Sequence, residues 1–143
     1  MARNEPPRDL DPRLPALNVG IQPANVQPGQ SYWRLVKAYW QNKEESGNDH
    51  TIYIEVLDEN GSRITGQPVE IQWQDGNLVV TTEDKPPYEY PANFPMYGTL
   101  GSYHVRIGGL PSDTITGLGM GTVEQPAFTI HTNFMLTFQR MKR

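Results

Sequence analysis

The chain has no cysteine. That single absence removes disulfide frameworks, thiolate metal sites and cysteine nucleophiles together. It contains no apolar run long enough to cross a membrane as a helix, and residues 1–20 (MARNEPPRDLDPRLPALNVG) lack the apolar core of a signal peptide. Positive charge is scarce: 12 Lys and Arg stand against 16 Asp and Glu, for a net charge of -4. With no basic stripe interleaved with aromatics, a nucleic-acid surface is not expected, nor is a membrane one. The basic cluster Arg140, Lys142 and Arg143 reads as a solvated tail over 141–143. Catalytic signatures are missing too. There is no Gly-x-Ser-x-Gly elbow, and the glycines from Gly117 to Gly121 precede no expected helix, so a phosphate-cradling loop is not indicated.

What is present is strand grammar. Ile52, Ile54 and Val56 alternate with Thr51, Tyr53 and Glu55, then Asp58-Glu59-Asn60-Gly61 makes a turn. Val69, Ile71 and Trp73 alternate with Glu70 and Gln72, and Asp75-Gly76 leads into Leu78, Val79 and Val80. Period-two alternation punctuated by Asn-Gly and Asp-Gly signals β-hairpins. Further strands are expected over Ser31–Trp40, Ser102–Ile107 and Thr114–Leu118, with a long final one from Phe128 to Phe138. No helix is expected. The expected fold class is all-β: an Ig-like β-sandwich of seven or eight antiparallel strands spanning residues 32–140.

Thirteen prolines and thirteen glycines accompany this pattern. Six of the prolines fall within residues 1–31, so this segment is expected to be an extended arm. Its apolar residues Leu10, Leu14, Leu17, Val19 and Ile21 are candidate contacts to another chain. Asp84 to Gly101 is the longest irregular stretch. Its large side chains, Tyr88, Tyr90, Phe94, Met96 and Tyr97, are candidate contacts to a protein or a glycan, because rigid aromatics anchor interfaces at low entropic cost. The remaining aromatics, Trp33, Trp40, Trp73, Phe128, Phe134 and Phe138, read as core.

Other constellations favour plain explanations. His104 and His131, at the polar phase of strands, are placed as neighbours across a sheet but lack a third ligand; His50 is remote from both in sequence. Asp58, Glu59, Asn60, Asp75 and Asp84 resemble calcium-loop oxygens, yet turns require the same residues. Glu55 and Glu70 are read as lying on neighbouring strands, without a cleft for glycosidase chemistry. No enzyme, metal or cofactor is expected.

The order of strand, Asn60-Gly61 turn, Gly66-Gln67-Pro68-Val69, Thr81-Thr82-Glu83-Asp84 and Gly101-Ser102-Tyr103-His104-Val105 resembles the prealbumin-like, or carboxypeptidase-regulatory-like, sandwich group. Those domains serve as spacers, adhesive modules or assembly parts. Tyr32-Trp33-Arg34-Leu35-Val36, Asn93-Phe94-Pro95-Met96-Tyr97, Gly109-Leu110-Pro111-Ser112-Asp113 and Leu136-Thr137-Phe138-Gln139-Arg140 further resemble a β-domain found beside catalytic modules in bacterial secreted and cell-wall-lytic proteins. Unlike those proteins, this domain is expected to act without a catalytic neighbour or leader. The expected role is a virion-type structural component (decoration, tail or fibre), made in the cytoplasm and contacting itself or a shell subunit through arm and loop. The alternative is a carbohydrate- or cell-wall-binding module.

Overall fold

The computed structural model describes residues 5–143. Its strands are β1 (Asp9–Leu10), β2 (Gly20–Gln22), β3 (Ser31–Gln41), β4 (Thr51–Leu57), β5 (Pro68–Trp73), β6 (Gly76–Thr81), β7 (Ala92–Pro95), β8 (Tyr103–Ile107), β9 (Thr114–Leu118) and β10 (Asn133–Lys142). They form two five-stranded sheets, β1-β3-β10-β4-β7 and β2-β9-β8-β5-β6. The protein is a β-sandwich. Ile52, Ile54 and Val56 of one sheet and Val69, Ile71, Val105 and Ile107 of the other are fully buried between the layers, as the alternation requires.

The count and the directions differ from the expectation. Among the described residues there are ten strands rather than seven or eight. Two pairings are parallel, β10 with β4 and β1 with β3; strand direction across a long connection leaves no mark in periodicity. In β3 the apolar residues change phase. The pairing with β10 slips between Thr137 and Phe138, so that Thr137 faces Lys37 and Phe138 faces Leu35. Val36 is the extra residue of a bulge. It lets Trp33, Leu35, Ala38 and Trp40 all enter the core, although simple alternation would send them to opposite faces.

Four further expectations are corrected. Lys43–Ser46 is a short α-helix, α1, held by a capping box in which Asn42 and Glu45 exchange side-chain and backbone hydrogen bonds. A strand, β7, lies inside the supposedly irregular 84–101 stretch and pairs with β4. Pro91 just before it and Pro95 at its end suit it to an edge. The final strand begins at Asn133, and Phe128 is 59% exposed rather than core. The residues 141–143 are no free tail: β10 runs to Lys142, and Arg143 exchanges backbone hydrogen bonds with Gly29 and Gln30.

The arm is part of the sandwich. β1 extends the first sheet beside β3, a 3-10 turn at Pro15–Leu17 crosses the gap, and β2 joins the second sheet beside β9. Asn18 takes a left-handed conformation (φ 59°) to make that crossing. Two buried carboxylates staple the segment. Asp11 accepts from the Trp40 amide (3.1 Å) and from Arg13 (2.8 Å). Asp113 accepts from the amides of Ala24 (2.8 Å) and Leu35 (2.9 Å) and from Arg8 (2.9 Å).

Candidate functional site

The five arm residues divide by position. Leu14, Leu17 and Val19 lie in the hydrophobic core of their own domain, Ile21 packs partly against it, and Leu10 is 37% exposed. The first three are therefore committed within the chain and are not presented to a partner.

The five loop residues also scatter. Phe94 and Met96 are buried, because β7 turns them inward. Tyr90 leans on Tyr53 on the outer face of the first sheet, with ring centroids 5.6 Å apart, and burial pushes its phenol upward. Tyr53 donates to Asp49. Burial works to raise the Asp49 carboxyl, but hydrogen bonds from Tyr53, Thr51 and the His50 amide prevail and hold it below the usual range. Tyr88 stands at a loop tip, and Tyr97 is 73% exposed.

Tyr97 borders a cleft of about 810 Å³ at one end of the sandwich. Its floor and walls are built from both sheets. Trp73, at the end of β5, stacks on Phe94 of β7 at 5.9 Å, and Tyr103, at the start of β8, meets both edge-on. Gly76 follows the Asp75 turn because a Cβ there would press on the Trp73 indole at 3.0 Å. Gln74, Ser102 and His104 supply the polar groups of the rim.

The wall carrying Tyr97 is fixed from three directions. The phenolic oxygen of Tyr103 accepts hydrogen bonds from the amides of Tyr97 (2.9 Å) and Gly98 (2.8 Å). The Met96 carbonyl accepts from Nδ1 of His50 at 2.7 Å. Met120 exchanges backbone bonds with Gly98 and Leu100. The packing leaves no room for larger residues: a Cβ on Gly119 would overlap the Thr99 carbonyl, and one on Gly98 would meet the Ser102 hydroxyl. An exposed aromatic ring on a backbone held this firmly loses little entropy when it makes a contact.

No carboxylate, lysine or arginine lines this cleft. The set can stack, hydrogen-bond and cover apolar surface, and it favours a neutral ligand, since an unpaired charge placed there would be desolvated without compensation. Sequence reasoning assigned Trp73 to the core alone and left Gln74, Ser102 and His50 out of any site. Their signal is long-range, since the cleft exists only once β5, β7 and β8 converge.

The other constellations are dispersed. His104 lies in the second sheet and His131 precedes β10 of the first, so they do not pair across one sheet. His131 instead meets His50, with centroids 4.7 Å apart, because β4 and β10 run side by side in parallel. Glu55 and Glu70 sit on opposite sheets, each beside an arginine, Arg63 and Arg106. Asp58 accepts from the amides of Asn60 and Ser62 (both 2.9 Å), which is turn chemistry. Among the described residues, no group of three or more His, Cys, Asp and Glu side chains converges as a metal site.

A second recess, of about 800 Å³, opens on the same end of the sandwich. It is lined by Trp40, by Lys43 and Glu44 of α1, and by Val123 and Ile130 of the loop between β9 and β10. The Arg13 guanidinium lies 4.8 Å from the Trp40 ring centroid.

No protein-family model, curated protein or solved structure matches this chain.

Proposed function

We propose that this protein is a non-catalytic carbohydrate-binding β-sandwich, and that the cleft between Trp73 and Tyr97 is its binding site. One observation carries the reading: Tyr97 presents a largely exposed ring on a wall with almost no freedom to move, above a floor of Trp73, Phe94 and Tyr103. Aromatic faces stack on the apolar faces of sugar rings, while Gln74, Ser102 and His104 offer the hydrogen-bonding groups that hydroxyls require. The likeness of Asn93–Tyr97 and Gly109–Asp113 to the β-domain of cell-wall-lytic proteins supports a cell-wall or other structural polysaccharide. The prealbumin-like resemblance is compatible with the same role.

The test is retention on insoluble cellulose, chitin and peptidoglycan, followed by titration calorimetry with their soluble fragments. Tyr97→Ala is expected to weaken binding by about three- to tenfold, from the roughly 0.5–1.5 kcal/mol of one aromatic contact, while the unfolding midpoint is unchanged. Failure of the wild-type protein to bind any of these polymers would sink the reading.

A second reading, a structural assembly component such as a virion decoration, tail or fibre part, draws support from one edge of the sandwich. β6 is a six-residue edge strand without charge or proline, and it exposes Leu78 and Val79. Charges and prolines are the usual guards against edge-to-edge pairing. On this reading, sedimentation shows concentration-dependent self-association that Val79→Lys removes. A strictly monomeric wild type at high concentration counts against it.

A further inference from the structure

Resting on the carbohydrate reading, we infer that the ligand is an extended chain rather than a single sugar, running from the Trp73–Tyr97 cleft across His50 and His131 into the Trp40 recess. All of these features occupy one end of the sandwich. Gln41 and Asn133, Thr51 and Pro95, and Gln72 and His104 are register partners at that end. Three rings follow one another between the two recesses. Tyr97 meets His50 edge-on at 5.9 Å, and His50 meets His131 at 4.7 Å. The His131 carbonyl accepts from Ser46 of α1 (3.3 Å), and that helix supplies Lys43 and Glu44 to the second recess.

Both histidines are oriented to serve such a track. Nδ1 of His50 donates to the Met96 carbonyl (2.7 Å), and Nδ1 of His131 to the Asn48 carbonyl (2.8 Å). In the neutral rings Nε2 is therefore the acceptor, with no protein partner among the described residues, so each ring has a nitrogen left for a hydroxyl. The far end repeats the pattern of the near one: an indole on a floor beside polar groups. Trp40 itself is only 7% exposed and lies against the Arg13 guanidinium, so the polar groups that this recess offers to hydroxyls are those of Asn42, Lys43, Glu44 and Gln125. Two recesses joined by a half-buried aromatic bridge reward a ligand long enough to reach both, because the second contact becomes intramolecular once the first is made.

The test is calorimetry with cello-oligosaccharides and chito-oligosaccharides from dimer to hexamer. The expected result is an affinity that climbs with length, the hexamer binding roughly tenfold or more tightly than the dimer. His131→Ala, or Val123→Asp at the far recess, brings the hexamer's affinity down to the dimer's, whereas Tyr97→Ala weakens every length. Two results overturn the inference while leaving the single-cleft reading standing: an affinity flat with length, or equal losses for dimer and hexamer in the His131 and Val123 variants. If neither series binds at any length and peptidoglycan fragments of the same lengths do not bind either, the carbohydrate reading itself falls, and the extended site with it.

Discussion

At the scale of the residue, two aspartates do more for the fold than any strand pattern announces. Asp11 is 3% exposed and Asp113 1%. Their partners are as distant in sequence as Trp40, Leu35 and Ala24, so nothing local to either aspartate marks its role. The Arg13 side chain, bonded to Asp11, outweighs the upward push of burial and holds this carboxyl below its usual range. Glu5 is lowered in the same way, first by Tyr32. A carboxylate whose folded pKa lies below its unfolded value contributes stability that is complete above the unfolded value of about 4 and is lost as the pH falls through the folded one. Urea midpoints are therefore expected to hold near neutrality and to decline below about pH 4. The Asp11→Asn variant starts lower at pH 7 and shows a shallower decline. A variant that tracks the wild-type slope down to pH 2 would show that this pair is not part of the acid response.

At the scale of the element, the well-paired strands β4, β5 and β8 were legible because each buries one face and alternates cleanly. What alternation could not show is equally specific. The bulge at Val36 splits one inward face into two apparent ones, β7 is too short and too proline-bound to register, and α1 spans a single turn, with only Asn42 and Glu45 to announce it. The arm was legible as extended chain from its prolines, but not as two sheet edges and a crossing turn. Leu17→Ala in that turn is expected to cost about 2–5 kcal/mol in urea denaturation, while Leu10→Ala, half open to solvent, stays within about 0.5 kcal/mol. Equal and small losses at both positions would mean that the arm detaches without consequence for the sandwich.

At the scale of the whole molecule, the main core includes Leu14 and Leu17 of the arm, the inner faces of both sheets and Phe138 near the far end of the chain, while Ala24, Val26 and Tyr32 form a smaller cluster. β10 lies in the middle of its sheet between β3 and β4, so that sheet cannot close until nearly all of the chain is in place. Refolding is therefore expected to be cooperative and slow, on the order of milliseconds to seconds, as for other sandwiches dominated by non-local pairs. Stopped-flow tryptophan fluorescence measures it; a microsecond phase carrying the full amplitude would contradict this picture. The cleft was the least legible feature, because its aromatics lie on three strands of two sheets and no stretch of sequence contains them together.

The closing of β10 on β3 has one more consequence. Ser31 faces Lys142 at one end of that ladder and Gln41 faces Asn133 at the other, and Glu5 is ion-paired with Arg143 and Arg34 at the first of these ends. Residues 5 and 143 thus share one pole, and the aromatic rim occupies the opposite one, about 30 Å away for a strand of this length. A copy anchored by either end of this stretch points its rim outward, as a socket held by its base.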